Sequence, residues 1–398
     1  MNRNSKQICA VALTIFYGTW AAPTMQAYAF SMLVPDVRQP VAISGGSACP
    51  VRAHQLTTAG SLAVRWSTAL NTNPVTVFTQ NQTASGRLAE IEQVITQSLA
   101  VWTEVSGSSL APATLAPLAR TATQNACGSD GVNSICFDQA DMAFTPGVVA
   151  FTRVIATDRI GMQVGGSAVA TQLGQILDAD IYFNPSGSPT TYATPQALAS
   201  NPTAYDLESV LTHELGHALG FSHSAVWSAI MFPFAPAPGT FSGMRPTVQQ
   251  PDAPLGDDDR TGLRMLYANP SDALHAGSIR GQIFPASPPG VTGVFGAQVV
   301  AVDVTSGAVA GSTMGGWSCS GAGPVQFDGS YEIDGLTVGH SYIVYAEALN
   351  GAVDSSSISN AIVTLCRNAM TDPGWPPLQG CLVPAVNASF TTRTRPGP

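Results

Sequence analysis

The stretch that most restricts how this chain can fold is His213-Glu214-Leu215-Gly216-His217-Ala218-Leu219-Gly220-Phe221-Ser222-His223. On a helix, residues four apart stand on one face, so His213 and His217 can grip one metal ion together. Glu214 sits about 100° further round the helix, where it reaches a water on that ion without being a ligand. A helical His223 would lie too far along the axis to join them. Gly220 removes the obstacle, because a glycine just past a helix end readily takes the left-handed conformation that turns the chain back. His223 then closes a three-nitrogen site with a fourth position open, the arrangement of a catalytic zinc. Only six histidines occur in the chain, and three of them fall at this spacing.

The flanking sequence supplies a body for that helix. Asp206 offers an N-cap, and Glu208 favours the positive end of the helix dipole. Leu207, Val210, Leu211, Leu215, Ala218 and Leu219 make the buried stripe. Upstream, Leu88, Ile91, Ile95, Leu99 and Trp102 recur at helical spacing over residues 85–105, and Gly107 ends the run. Residues 62–66, 75–78, 132–137, 148–155, 168–173 and 176–183 read as strands, the last with Asp178 and Asp180 on one polar face. Those two acids could bind calcium, or act through hydrogen bonds or hydration. Residues 184–201 read as a polar loop. Asp257-Asp258-Asp259 opens a helix through Leu263, Leu266 and Tyr267; its place at a helix start favours capping over metal binding.

The ends of the chain speak to location and organisation. Arg3 and Lys6 precede an apolar run from Ile8 to Ala22 and a small-x-small site at Ala27-Tyr28-Ala29, so residues 1–29 read as a secretory signal. The expected destination is extracellular, with periplasm or cell surface as variants, and with no membrane span after cleavage. The formal net charge is −9 and no basic cluster exists, which argues against nucleic acid as a partner. Loss of Cys9 with the signal leaves six cysteines, an even number suited to disulfides. Cys127 with Cys136 and Cys366 with Cys381 are local pairs, leaving Cys49 and Cys319 by elimination. Residues 30–60 read as an extension or short pro-segment, 61–270 as the domain that carries the histidines, 275–350 as an antiparallel β-sandwich with His275 and His340 at its surface, and 351–398 as a C-terminal extension.

The active stretch resembles the metzincins, and within them the matrixins. The eleven-residue pattern is that family's signature, and Met231 in Ala229-Ile230-Met231-Phe232-Pro233 matches its Met-turn. Ser224 directly after the third histidine and the seven residues between His223 and Met231 are matrixin-like, as are Asp258 to Tyr267 and Ala100 to Val105. The resemblance covers roughly residues 60–268. It implies an α+β fold: a twisted, mostly parallel five-stranded sheet with long helices, and zinc in a cleft between two subdomains. Residues 278–350 look like a carboxypeptidase regulatory-like sandwich. Three departures stand out. The only upstream cysteine candidate for the family's inhibitory latch is Ala48-Cys49-Pro50, without the usual glycine. No histidine lies between His54 and His213 to hold a structural zinc. The C-terminal propeller of animal members is absent from the pattern. Together these resemble a bacterial secreted type.

The expectation is a monomeric secreted endopeptidase acting on protein or peptide substrates. His213, His217 and His223 would hold one zinc ion, Glu214 would act as general base, and Met231 would be an apolar floor and not a ligand. A calcium ion is possible without an assigned site. Residues 232–234 would line the pocket beside the zinc, and an edge strand within 147–173 would take extended substrate. The sandwich would position the enzyme on a large target. The rival readings are a secreted adhesion protein with a vestigial site, and a zinc hydrolase of non-peptide bonds.

Overall fold

The computed structural model describes residues 76–81, 83–110, 127–137, 144, 147–156, 161–165, 169–171, 175–184, 191–221, 223–224, 226–284, 293–294, 297–315 and 328–348, with the backbone of four short strands elsewhere. The readings made on Cys49, Cys366, Cys381, most of the signal segment and residues 351–398 lie outside these. In chain order the elements are β1 (Met25–Gln26), β2 (His54–Leu56), β3 (Arg65–Trp66), β4 (Thr76–Phe78), α1 (Ala84–Thr103), β5 (Ser134–Cys136), β6 (Ala150–Ala156), β7 (Gln175–Phe183), β8 (Thr191–Ala193), α2 (Pro195–Leu198), β9 (Tyr205–Asp206) and α3 (Leu207–Ala218). After them come α4 (Asp257–Leu266), β10 (Gly277–Gln282), β11 (Ala297–Asp303), β12 (Val309–Gly315), β13 (Ser318–Cys319), β14 (Ser330–Leu336) and β15 (Tyr342–Ala348). These residues group into two compact units. One draws on Ala53–Phe221 and Phe234–Gly256, the other on Ser222–Pro233 and the chain from Asp257 onward. The second unit thus takes in α4 and the Met231 loop, which the sequence reading groups with residues 61–270.

The first unit is built on a five-stranded mixed sheet. β7 pairs in parallel with β2 and β5, β5 in parallel with β3, and β6 runs antiparallel to β7. All nine residues of β7 are buried, including Asp178 and Asp180 at 1% exposure each. A strand with one solvated polar face is therefore not what forms. Asp180 accepts the N–H groups of Gly128 and Ser134, and Asp178 accepts that of Gly131. Two carboxylates on β7 thus satisfy the turn that the Cys127–Cys136 disulfide closes. The described part of the expected strand at 168–173 is loop: Ala170 exchanges backbone hydrogen bonds with Gly161 and Met162 across a turn. Conversely, residues 184–201 hold a strand, β8, in a parallel sheet of order β4-β8-β9. Tyr192 is fully buried there and donates its hydroxyl to the Val149 carbonyl at 2.7 Å.

Helix α1 starts at Thr83, whose hydroxyl accepts the Gly86 N–H, a Thr N-cap of the usual kind. Its Ile91, Val94, Ile95, Leu99 and Trp102 are buried, and the helix packs against α3. Trp102 lies in the core as expected, and its indole N–H donates to the Thr212 carbonyl of α3 at 3.0 Å. α3 in turn contacts β6 and β7.

In the second unit every strand pairing is antiparallel. β10 pairs with β14, and β11 lies between β12 and β15. Ile279, Val299, Ala301, Tyr331, Ile333 and Leu336 from these strands share one hydrophobic cluster. α4 packs on β12 and β14. His275 is largely covered but not buried: its side chain is 10% exposed and its Nδ1 faces Asp272 at 2.7 Å. His340 is 45% exposed and paired with Asp303.

Candidate metal centre

α3 is fixed at both ends by its own sequence. The Asp206 side chain accepts the Ser209 N–H at 2.7 Å, closing the N-terminus. Arg245 pairs with Asp206 and Glu208 at that end. At the other end Gly220 takes φ +104°, the left-handed value that a β-carbon resists. The Phe221 N–H then donates to the Gly216 carbonyl at 3.0 Å, and the Gly220 N–H donates to the His217 carbonyl at 2.9 Å. This pair of bonds is the Schellman closure. Phe221, at the reversal, packs its ring 5.2 Å from that of Trp102.

The turn has the consequence that the spacing implies. One ring nitrogen from each of His213, His217 and His223 lies within 4.8 Å of the others, and among the described residues this is the sole group of three or more potential ligands. The His213 and His217 rings meet edge to face with centroids 4.8 Å apart. His217 Nδ1 stands 2.7 Å from the Phe221 carbonyl oxygen. A carbonyl can only accept, so Nδ1 carries the proton and Nε2 keeps its lone pair, the form in which imidazole ligates zinc. Three neutral nitrogen donors, one with its tautomer held by a second-layer hydrogen bond, suit zinc.

Glu214 follows His213 and is 4% exposed. Burial pushes its carboxyl up to about 7, while the Thr152 hydroxyl acts in the opposite direction. That hydroxyl stands 2.6 Å from Oε2 of Glu214 and 3.0 Å from the Glu214 carbonyl oxygen. A cation among the three imidazoles would further favour the charged carboxylate. Thr152 belongs to β6, and no local pattern marks it as part of a site.

Met231 is fully buried. Its carbonyl accepts the Ser224 N–H at 2.8 Å, and Asp259 accepts the N–H groups of Ile230 at 2.7 Å and Met231 at 3.3 Å. Asp258 accepts the Ser224 hydroxyl at 2.6 Å. The reading of this acidic run as helix capping is therefore incomplete: Asp258 and Asp259, both 1% exposed, hold the loop that follows His223. Phe232 is buried at 6% exposure and Phe234 is exposed at 62%.

Residues 162–268 match the family model of the matrixins, peptidase family M10. The chain is 38% identical over 90 residues to Metalloendoproteinase 1 of Glycine max, covering 23% of this chain and 24% of that protein. It is 40% identical over 80 residues to Metalloendoproteinase 1-MMP of Arabidopsis thaliana, covering 20% and 19%. To Matrix metalloproteinase-25 of Homo sapiens it is 44% identical over 63 residues, covering 16% and 10%. The chain thus spans a quarter or less of the length of these relatives. The segment that matches the family model includes the three histidines, and together the comparisons support a matrixin-like zinc metalloendopeptidase at the level of that segment.

Proposed function

We propose that this chain is a secreted zinc-dependent endopeptidase. The observation that carries the reading is the convergence of His213, His217 and His223 within 4.8 Å, with the buried carboxylate of Glu214 next in sequence to the first of them. The three imidazoles hold the ion through neutral nitrogens. When bound, zinc lowers the pKa of a coordinated water to about 7 and polarises the scissile carbonyl. Glu214 is the general base: it takes a proton as the water oxygen bonds to the carbonyl carbon, then delivers that proton to the amine as the C–N bond breaks. Thr152 holds one carboxylate oxygen, which leaves the other for the water. Met231 serves as an apolar floor beneath the histidines and is not a ligand.

β6 pairs with β7 alone among the described strands, and we assign it the binding of extended substrate by strand addition. The antiparallel second unit fits a carboxypeptidase regulatory-like sandwich. Among the described residues no helix is long and apolar enough to cross a membrane. The intact Glu214 favours an enzyme over an adhesion protein with a vestigial site, because a structural zinc needs no base.

The test is digestion of a mixed peptide library by metal-free protein, by zinc-reconstituted protein and by zinc-reconstituted Glu214→Ala. Cleavage confined to the second sample is the expected result. No cleavage in any sample, with zinc bound, would reject the endopeptidase reading.

A further inference from the structure

We propose that Asp258 is a positioning residue that ties the loop after His223 to strand β12 of the same unit, so that residues beyond 270 help to hold the third histidine in place. Asp258 is 1% exposed, and each of its carboxylate oxygens accepts one serine hydroxyl at 2.6 Å. Oδ2 takes that of Ser224, the residue next to His223. Oδ1 takes that of Ser312, on β12. Both serines are fully buried. Ser224 gives its proton to Asp258, accepts the Val226 N–H at 3.1 Å, and sends its own N–H to the Met231 carbonyl. Its hydroxyl is thus committed at both ends, and a shift of Asp258 must move the loop directly after His223.

The strands fix Asp258 because α4 packs on β12 and β14. The Thr261 hydroxyl donates to the Ala310 carbonyl at 2.5 Å, and Arg264 donates to the Gly335 carbonyl at 3.4 Å. Two glycines admit the helix. A β-carbon at Gly311 would come within 2.9 Å of the Thr261 methyl group, and one at Gly335 within 3.1 Å of the Arg264 Cβ. Gly335 also has φ +75°, so an added side chain there would be strained as well as crowded. Asp259 meanwhile holds Ile230 and Met231 from the same helical turn. One helix start therefore grips the metal-site loop on one side and β12 on the other. Asp258 also accepts the Ser312 backbone N–H, and losing either hydroxyl would still take one donor from a fully buried carboxylate, which is the costly way to break a hydrogen bond. This differs from the expectation that the C-terminal unit serves only to place the enzyme on a target.

The inference rests on the proposed zinc site but not on peptide cleavage, so its test reads metal binding. Zinc affinity is measured on the full chain by competition with a chromogenic chelator, for wild type, Ser312→Ala, Ser312→Thr and Ile333→Val. Ile333 is a fully buried core residue of the same unit whose apolar side chain can take no part in these hydrogen bonds, and it controls for general loosening. Ser312→Ala is expected to weaken zinc binding about 5- to 100-fold. Ser312→Thr, which restores the hydroxyl, and Ile333→Val should stay within about threefold of wild type. Amide hydrogen exchange on the metal-free proteins gives a second readout: Ser312→Ala should speed exchange at Ser224, Ile230 and Met231. If Ser312→Ala proves unfolded, Ser224→Ala removes the other donor and is held to the same two readouts. Wild-type zinc affinity and wild-type exchange in a folded variant lacking either hydroxyl would overturn the proposal. So would equal losses in Ser312→Ala and Ile333→Val. Failure of all variants and wild type to cleave peptides would leave the zinc comparison intact and would count against the endopeptidase reading alone.

Discussion

Replacing Thr152 by valine removes one hydroxyl from beside Glu214, the proposed general base, and little else. Both side chains are β-branched and suit a strand, so β6 should keep its pairing with β7. What is lost is an O–H donor 2.6 Å from Oε2 of a carboxylate that is 4% exposed. The same hydroxyl is 3.0 Å from the Glu214 carbonyl oxygen, but it has a single proton, and the shorter, charge-assisted bond is the stronger. A hydrogen bond to a charged group contributes about 1.5–3 kcal/mol, or about 10- to 150-fold in rate if it acts fully in the transition state. The fall should appear in kcat with KM little changed, because Thr152 is assigned to the base and not to substrate. Direction on the pH axis follows as well. The hydroxyl holds the Glu214 carboxyl down against burial, so its loss should move the acid limb of the kcat/KM profile to higher pH. The assay is turnover of an internally quenched peptide by zinc-loaded wild type, Thr152→Val and Thr152→Ser, with zinc content measured on each sample. Thr152→Ser should recover most of the rate. A zinc-replete Thr152→Val with wild-type kcat and an unmoved acid limb would refute the assignment.

Three further outcomes follow from the same geometry. Glu214→Ala should keep zinc while losing about 10²- to 10⁴-fold in activity, whereas His223→Ala should weaken zinc binding itself; metal analysis beside kinetics separates the two. Gly220→Ala places a β-carbon at φ +104° and should cost roughly 1–2 kcal/mol of stability, read by chemical denaturation of the metal-free protein, together with weaker zinc binding. Asp180, raised to about 7 by burial and by neighbouring Asp178, binds its proton more tightly in the folded state. Its proton-linked contribution is therefore fully present below about 3.8 and lost as pH rises through about 7. Asp180→Asn should flatten the stability profile of the metal-free protein across that window, and an unchanged slope would show that another group carries it.

What the sequence alone determined is the part governed by short-range rules. The ligand spacing, the Asp206 cap, the buried stripe of α3 and the left-handed Gly220 all lie within eighteen residues, 206–223, and each follows from helix geometry. The Cys127–Cys136 pair and helix α1 were legible for the same reason. Tertiary structure alone decided where the polar groups around the site find partners. Asp258 and Asp259 look like caps because a carboxylate at a helix start satisfies local N–H groups in isolation; in the folded chain they reach Ser224, Ser312, Ile230 and Met231. Asp178 and Asp180 alternate as if toward water, yet both are buried because a loop some fifty residues earlier brings N–H donors to them. β8 is not legible because one of its pairing strands, β4, lies more than a hundred residues away and the other, β9, is only two residues long, too short to leave a period. Thr152 meets Glu214 across 62 residues of chain. A hydrogen bond between a strand and a helix leaves no imprint on either one's periodicity, so only folding could show that the Glu214 carboxylate has a holder.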